Sequence, residues 1–298
     1  MLARFLFMKV DRISPCKINL VLNILGKRPD GFHELETILH PLPLFDRISF
    51  VEAKNGEIEL TCSEPRLPVD STNLVHKAVT LFFATTGIRS GIRIYLEKRV
   101  PLAAGLGGGS SNAAVTLLAL NEMFDQPLTQ IRLADLAKTL GSDVPFFLQD
   151  NPAIGLGRGE IITPLEPFRC LKSRGLFLIH PGFGISTAWA YKNLARFPEA
   201  LNGRKGQSAE MATQLSSGSL ESSGTFFYNS LEAPVLPKYP LLNLFQEFLK
   251  AEGAIVTMMS GSGSTTFAIF EDASAAERIE VAFRHRFGAF AWTASLVL

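Results

Sequence analysis

Glycine and serine residues lie directly in front of a helical pattern in the segment 101–112 (PLAAGLGGGSSN). The glycines at 107–109 have no Cβ, so the backbone can come close to an anion. Ser110 and Ser111 add hydroxyl groups that suit a phosphate or a Mg²⁺ ion. A helix that begins here points its unpaired N–H groups and the positive end of its dipole at one place. The segment therefore favours binding of a phosphate group.

Two common phosphate-binding motifs do not account for this segment. The sequence contains no G-x-x-x-x-G-K-[ST] motif, and Ser110 stands where the third glycine of G-x-G-x-x-G would be. A flexible Gly/Ser linker is the alternative interpretation. Linkers seldom lead directly into a helix with an apolar face, and residues 111–124 have such a face, so phosphate binding is favoured.

Two charged residues could act on a phosphate and a hydroxyl. Lys17 shares the less apolar face of a predicted strand at 13–25 with Asn19. It could offset developing phosphate charge, or it could be an ordinary exposed lysine. Asp143 follows a predicted helix at 129–140. Its carboxylate is a candidate general base, although aspartate after a helix is also a common turn former.

The composition is that of a globular protein, since 47% of the 298 residues are hydrophobic and 19% are charged. A net charge of +1 and scattered Lys and Arg argue against nucleic-acid binding. We expect neither a signal sequence nor a membrane helix. Cys16, Cys62 and Cys170 lack zinc-site or disulfide spacing, which is typical of a reducing compartment. The expectation is a cytoplasmic protein with a small-molecule substrate and no obligate protein partner.

The first half of the chain shows further helix and strand patterns. Apolar residues at helical spacing predict a helix over 74–83, with Ser71 or Thr72 as its cap and Gly87 as its end. Alternation over 92–96 predicts a strand directly before the glycine-rich segment. The predicted order is therefore strand, glycine-rich segment, helix.

The second half follows a Gly/Pro-rich passage at 151–167. Its predicted elements are, in order, a strand at 176–179, helices at 187–195 and 241–251, strands at 254–259 and 265–270, a helix at 274–287 and a strand at 290–297. With one helix extra, this is the β-α-β-β-α-β order of a ferredoxin-like unit. Residues 203–224 are rich in Ser and Gly and are predicted to form a mobile surface insertion.

Residues 101–114 resemble the glycine-loop motif of the GHMP kinase superfamily, which includes galactokinase, homoserine kinase and mevalonate kinase. Residues 14–20 (SPCKINL) and 26–35 (GKRPDGFHEL) resemble the first motif of one branch of that superfamily. Residues 141–147 (GSDVPFF) resemble its catalytic-aspartate motif, and residues 259–264 (MSGSGS) its C-terminal glycine motif. The motifs occur in the family's order over nearly the whole chain.

The resemblance implies an α+β, two-domain GHMP kinase architecture. An N-terminal ATP-binding domain with a ribosomal-protein-S5-like fold would span residues 1–165, and a C-terminal ferredoxin-like domain residues 166–298. Members of this branch phosphorylate a cytidine diphosphate-linked methylerythritol on its 2-hydroxyl, in non-mevalonate isoprenoid synthesis. ATP and Mg²⁺ are the implied cofactors.

The resemblance also implies site residues. Lys17 and Asp143 would be catalytic, and Ser111 would be a metal ligand. The implied ATP-binding residues are Asn73, Lys98, Pro101, Leu102, Ala103, Ala104, Gly105, Leu106, Gly107, Gly108, Gly109, Ser110 and Ser111. The implied substrate-binding residues are Asn19, Phe32, His33, Tyr191, Gly261 and Gly263, of which the three ring residues would form a cytosine pocket.

Several of these residues also have ordinary structural interpretations. Asn73 suits a helix start, Lys98 a strand end, and Gly261 and Gly263 a hairpin turn. For the whole chain, the alternatives are a GHMP kinase for another alcohol, a nucleotide-binding regulator without turnover, and an RNA-binding module. The segment 30–33 argues against a kinase for another alcohol. The presence of both Lys17 and Asp143 argues against a regulator without turnover, and the low net charge argues against an RNA-binding module.

Overall fold

The structure, a computed structural model, describes residues 8–53 and 56–298. Two long strands open the chain, β1 at Lys9–Lys27 and β2 at His33–Ala53. The chain divides into two compact units, and β1 and β2 each contribute residues to both. In the described part of the chain, no helix is long and apolar enough to cross a membrane.

The first unit comprises the described residues of Met1–Cys16, Leu44–Leu102 and Gly107–Gln149. Its further elements are, in order, β3 (Ile58–Cys62), α1 (Leu74–Thr86), β4 (Gly91–Glu97), α2 (Gly108–Met123) and α3 (Gln130–Leu140). β3 pairs in parallel with β4, and β4 pairs antiparallel with β2. The three helices pack against one another. The predicted order of strand, glycine-rich segment and helix is confirmed by β4 and α2.

The helix boundaries refine two predictions. The cap of α1 is Asn73, whose side-chain oxygen accepts a hydrogen bond from Val75 N at 2.8 Å, so the prediction of Ser71 or Thr72 was wrong. Helix α2 begins at Gly108, three residues before the predicted start. The glycine run 107–109 is therefore partly helical. Its composition suggested a loop, but glycine is also tolerated in a helix.

The second unit comprises Lys17–Pro43, Ala103–Leu106 and Asp150–Leu298. Its further elements are, in order, β5 (Ala153–Gly157), β6 (Ile161–Pro164), β7 (Gly175–His180), α4 (Thr187–Leu194), α5 (Pro198–Leu201), α6 (Gln207–Ser217), α7 (Leu220–Ser223), β8 (Tyr228–Asn229), α8 (Glu232–Lys238), α9 (Pro240–Ala251), β9 (Val256–Met259), β10 (Thr266–Phe270), α10 (Ala273–Phe287) and β11 (Trp292–Val297). The Gly/Pro-rich passage forms the hairpin of β5 and β6, and β5 pairs antiparallel with β2.

Four strands of this unit form an antiparallel sheet in the order β11-β7-β10-β9. With α10 between β10 and β11 in the chain, this order confirms the predicted ferredoxin-like arrangement. Helices α9 and α10 contribute aromatic residues to its core, where the Phe245 and Phe283 rings lie 5.3 Å apart and Phe177 lies 6.1 Å from Phe283. All three side chains are fully buried.

The prediction of a mobile insertion at 203–224 was wrong. Helices α6 and α7 occupy most of this segment, and Met211 and Leu215 are fully buried one helical turn apart. The buried carboxylate of Glu36 accepts hydrogen bonds from Gly206 N at 3.0 Å and Ser208 N at 3.3 Å, at the positive end of α6. The high Ser and Gly content concealed a short apolar stripe that is sufficient to anchor a helix.

Candidate active site

The amino end of α2 presents backbone donors at the glycine-rich segment. The first backbone hydrogen bond of the helix joins Ser111 N to Gly107 O at 2.9 Å. The N–H groups of Gly108, Gly109 and Ser110 precede this bond, so they have no acceptor within the helix. Gly109 is exposed to solvent. This is the geometry that suits an anion such as a phosphate.

The preceding part of the segment, at 103–106, belongs to the second unit. Gly105 has a φ of +77°, and a Cβ added there would lie 2.1 Å from Ser260 O, so only glycine is accommodated. Its carbonyl oxygen accepts a hydrogen bond from Ser260 Oγ at 3.1 Å. Leu106 O accepts one from Lys17 N at 2.9 Å. Gly105 thus serves close packing.

Lys17 is buried on β1, with 3% of its surface exposed. Its Nζ donates hydrogen bonds to Asn19 Oδ1 at 2.6 Å and to Gly105 O at 3.1 Å. Asn19 in turn donates to Thr37 Oγ1 at 2.8 Å, and Thr37 donates to Val21 O at 2.6 Å. This chain of bonds fixes the ammonium group, and an ordinary exposed strand lysine is excluded.

Gly261 and Gly263 lie in the connection between β9 and β10, so their hairpin-turn interpretation holds. Both have positive φ values, +56° and +85°. The side chain of Asn229, a residue not predicted from the sequence, donates hydrogen bonds of 2.8 Å to Met259 O and Gly261 O. Asn229 belongs to no recognisable motif. The sequence therefore contains no signal that its side chain forms hydrogen bonds with this turn.

Two of the three predicted cytosine-pocket residues lie in ring contact. The His33 and Tyr191 ring centroids are 5.1 Å apart. The Phe32 ring is half-exposed and lies 4.6 Å from the guanidinium carbon of Arg158, a second residue missed from the sequence. Burial and the nearby Lys27 charge lower the pKa of His33 below its usual value. A neutral imidazole, which can both donate and accept a hydrogen bond, is therefore favoured at neutral pH.

Lys98 takes part in a buried ion pair in the first unit. Its ammonium group contacts the carboxylate of Asp46, and their side chains are only 5% and 0% exposed. Asp46 also accepts hydrogen bonds from Arg99 N at 2.7 Å, Val100 N at 2.9 Å and Asn112 Nδ2 at 2.9 Å. The positive charge of Lys98 is thus neutralised within the protein. Asp46 was missed because a single aspartate in a strand pattern carries no motif.

Two other predicted nucleotide contacts also have partners in this unit. Asn73 caps α1 and donates a hydrogen bond to Pro68 O at 2.6 Å. The Ser111 hydroxyl is fully buried and lies 2.7 Å from Ser14 Oγ. Ser14 also accepts from Asn112 Nδ2 at 2.8 Å. These bonds tie the first turn of α2 to β1.

Asp143 lies in the turn between α3 and a short 3₁₀ helix at Pro145–Leu148. Gly141 ends α3, and Val144 N closes the turn with a 3.2 Å hydrogen bond to Gly141 O. The side chain of Asp143 is partly buried. A turn position of this kind can present a carboxylate to a substrate.

Comparison with known proteins identifies the family to which this fold and these motifs correspond. Residues 73–151 match the N-terminal domain of GHMP kinases, and residues 209–289 match the GHMP kinase C-terminal domain. A solved homoserine kinase from Cytophaga hutchinsonii superimposes with a TM-score of 0.76 over 100% of this chain and 97% of its own, at 18% identity. This likeness concerns the fold. The chain belongs to the GHMP kinase family.

Its nearer similarities are to one kind of GHMP kinase. A relative from Pelotomaculum thermopropionicum is 38% identical over 93% of this chain and 94% of its own length. One from Methylacidiphilum infernorum is 43% identical over 88% and 86%. Both are named 4-diphosphocytidyl-2-C-methyl-D-erythritol kinase. A crystal structure of a kinase for the same compound superimposes with a TM-score of 0.78, at 33% identity, over 97% of this chain and 100% of that one.

Proposed function

We propose that this chain transfers the γ-phosphoryl group of ATP to the 2-hydroxyl of 4-diphosphocytidyl-2-C-methyl-D-erythritol. The products are the 2-phosphate and ADP, in non-mevalonate isoprenoid precursor synthesis. The observation that carries this proposal is the 38% identity with a relative of that name over 93% of the chain. The homoserine kinase shares the fold at only 18% identity, so the fold alone would not have indicated the substrate.

The amino end of α2 is the proposed site for the phosphates of ATP. The N–H groups of Gly108, Gly109 and Ser110 supply donors, and the helix dipole adds positive potential. The segment 101–111 as a whole is proposed to cover the nucleotide, with Asn73 and Lys98 nearby. Because Lys98 is neutralised by Asp46, its proposed role is to hold the site in shape, with little net charge available to the nucleotide.

Asp143 is the proposed general base for the 2-hydroxyl. Phosphoryl transfer needs a positioned nucleophile and charge neutralisation, and an aspartate next to the attacking hydroxyl can accept its proton. Lys17 is proposed to stabilise the negative charge that develops on the transferred group. Its fixed ammonium group suits this role, since its bonds to Asn19 and Gly105 set its position before substrate binds.

The rings of Phe32, His33 and Tyr191 are proposed to bind the cytosine. Aromatic faces can stack on the base, and a neutral His33 can hydrogen-bond to its edge. Asn19, Gly261 and Gly263 are proposed to contact the methylerythritol or the diphosphate, through an amide side chain and backbone N–H groups.

Mg²⁺ enters the proposal as the ion bound to the ATP phosphates, whose charge it would neutralise. In the parts of the chain that the structure describes, no group of three His, Cys, Asp or Glu side chains could hold a metal. Ser111, the candidate ligand, is buried against Ser14. The protein thus offers few ligands, and phosphates would provide most of them, as is common for this ion.

The test is ATP consumption by the purified protein with Mg²⁺ and one of three alcohols, namely 4-diphosphocytidyl-2-C-methyl-D-erythritol, homoserine or mevalonate. We expect turnover with the cytidyl compound alone. Asp143→Asn and Lys17→Met should each lower kcat by about 10²-fold or more, with an unchanged circular dichroism spectrum. Turnover with homoserine or mevalonate instead would refute the substrate, and full activity of Asp143→Asn would refute the base.

A further inference from the structure

The turn at 260–263, between β9 and β10, is held by side chains from outside the four-stranded sheet. Asn229 uses Nδ2 to donate hydrogen bonds to Met259 O and to Gly261 O, each at 2.8 Å. Its Oδ1 accepts a hydrogen bond from Leu231 N at 2.9 Å. Asn229 is only 3% exposed, and both donor hydrogens and the acceptor oxygen of its amide are engaged within the protein.

Glu232, the first residue of α8, holds the other backbone group of Met259. Its Oε1 accepts hydrogen bonds from Met259 N and from Gln246 Nε2, both at 2.7 Å. Met259 directly precedes the turn, and its N–H and its carbonyl group are thus both bonded to side chains. Asn229 and Glu232 therefore fix the point at which the chain enters the turn.

The bond from Asn229 to Gly261 O also sets the direction of the next backbone N–H group. The peptide between Gly261 and Ser262 is trans, and a trans peptide is planar with its oxygen and its hydrogen on opposite sides. Because Gly261 O points at Asn229, the N–H of Ser262 points away from it. Ser262 is partly exposed, whereas Ser260, Gly261 and Gly263 are buried. Asn229 thus orients the backbone donor of the most accessible residue of the turn.

The same turn packs against the hydrogen-bond partners of Lys17. Ser260 Oγ donates to Gly105 O at 3.1 Å, and this oxygen also accepts from Lys17 Nζ. A Cβ added at Gly261 would lie 3.1 Å from Gly105 O and 3.4 Å from Asn19 Oδ1, the other acceptor of Lys17. All of these residues belong to the second unit. The turn therefore shares its immediate neighbours with the ammonium group.

We propose that Asn229 is a positioning residue that directs the N–H of Ser262 at the diphosphate of the substrate. Successive backbone N–H groups in a turn with positive φ values suit an anion, and Gly261 and Gly263 have such values. Asn229 acts through the turn, since its own amide is fully bonded within the protein. Glu232 supports it through Met259 N. The inference rests on the proposed function, which supplies the diphosphate.

The kinetic test compares Asn229→Asp with Asn121→Asp. Aspartate has the shape of asparagine but, when ionised, no donor, so it would leave Met259 O and Gly261 O unpaired. Asn121 is the matched control, because it is 7% exposed and its amide bonds both backbone groups of Leu128, in a turn of the first unit without proposed site residues.

Asn229→Asp should raise the KM for 4-diphosphocytidyl-2-C-methyl-D-erythritol by about tenfold or more, and change the KM for ATP by less than about threefold. Asn121→Asp should leave both KM values unchanged. A smaller fraction of folded protein would lower the apparent kcat without raising either KM. An unchanged KM for the cytidyl compound in Asn229→Asp would therefore overturn the proposal.

The Glu232 variants give the same test without altering Asn229. Glu232→Gln keeps an acceptor for Met259 N and should keep the wild-type KM for the cytidyl compound, whereas Glu232→Met removes the acceptor and should raise this KM. Equal KM values for these two variants would count against the proposal, and this comparison decides it where Asn229→Asp does not fold.

Hydrogen exchange in the ligand-free protein tests the turn without reference to a substrate. The amides of residues 260–263 should exchange faster in Asn229→Asp than in the wild type, and at the wild-type rate in Asn121→Asp. Unchanged exchange in Asn229→Asp would show that Asn229 does not hold the turn. A wild type that leaves the cytidyl compound unphosphorylated would instead refute the proposed function and the role in diphosphate binding, even if exchange is faster in Asn229→Asp.

Discussion

The buried ion pair of Asp46 and Lys98 provides the most direct test of how the glycine-rich segment is held. In Asp46→Asn, the amide nitrogen would face Lys98 and Asn112, which are both donors to that oxygen at present. The Lys98 charge would remain buried without its carboxylate. Breaking a buried pair on one side costs about 3–5 kcal/mol, and we expect a loss of this size in the free energy of unfolding.

A double-mutant cycle separates the pair from the rest of the network. Lys98→Met alone leaves Asp46 with the hydrogen bonds from Arg99 N, Val100 N and Asn112, so it should cost less than Asp46→Asn. The double variant removes both charges, and its cost should be smaller than the sum of the single costs by about 2 kcal/mol or more. The assay is urea unfolding followed by circular dichroism at pH 7.5.

An exposed ion pair in the same unit is the matched control. Arg93 Nε lies 2.8 Å from Glu59 Oε2, and their side chains are 60% and 40% exposed. Arg93→Met should change the free energy of unfolding by about 1 kcal/mol or less. If Asp46→Asn costs no more than this control, or if the effects of the Asp46 and Lys98 substitutions are simply additive, the buried ion pair does not stabilise the first unit in this way.

Two further predictions concern the second unit and the segment itself. Gly105→Ala should lower the free energy of unfolding by about 3 kcal/mol or more, and lower the melting temperature with it, because the new Cβ would lie 2.1 Å from Ser260 O and φ is +77°. Gly109→Ala should leave the melting temperature nearly unchanged. Equal melting temperatures of the two variants would contradict the packing role of Gly105. Burial raises the pKa of Glu232 above its ordinary value of 4.5, so its contribution to stability is full below that pH and is lost as the pH rises through the folded pKa. Glu232→Gln keeps an acceptor for Gln246 and removes the buried charge, so it should have a higher melting temperature than the wild type at pH 7.5. This difference in melting temperature should shrink towards pH 4.5. The same difference at both pH values would exclude ionisation of Glu232 as its cause.

The sequence predicted the ferredoxin-like arrangement because the apolar patterns of its strands and helices occur in that order along the chain. It favoured a special role for Lys17 because Lys17 lies close to Asn19 in a strand whose other face is apolar. It could not reveal Asp46, Asn229 or Arg158, since each acts through a partner distant in sequence and none belongs to a motif. Residues 203–224 were wrongly predicted to be a mobile insertion, because their Ser and Gly content was given more weight than the spacing of a few apolar residues.

The glycine-rich segment shows why a motif predicts a ligand class more reliably than the role of each residue. Its glycines meet two different physical demands. Gly105 is required by a backbone oxygen 2.1 Å from where a Cβ would lie, which is a matter of packing. At Gly109, apart from its chain neighbours and the backbone of its own helix, only Leu74 Cδ1 among the described residues lies within 4 Å of that position, at 3.7 Å. An alanine would therefore fit, and a loss of ATP binding on substitution would reflect the anion. The same residue type therefore gives a stability defect at one position and an ATP-binding defect at the other, and measuring both properties for both variants assigns each role.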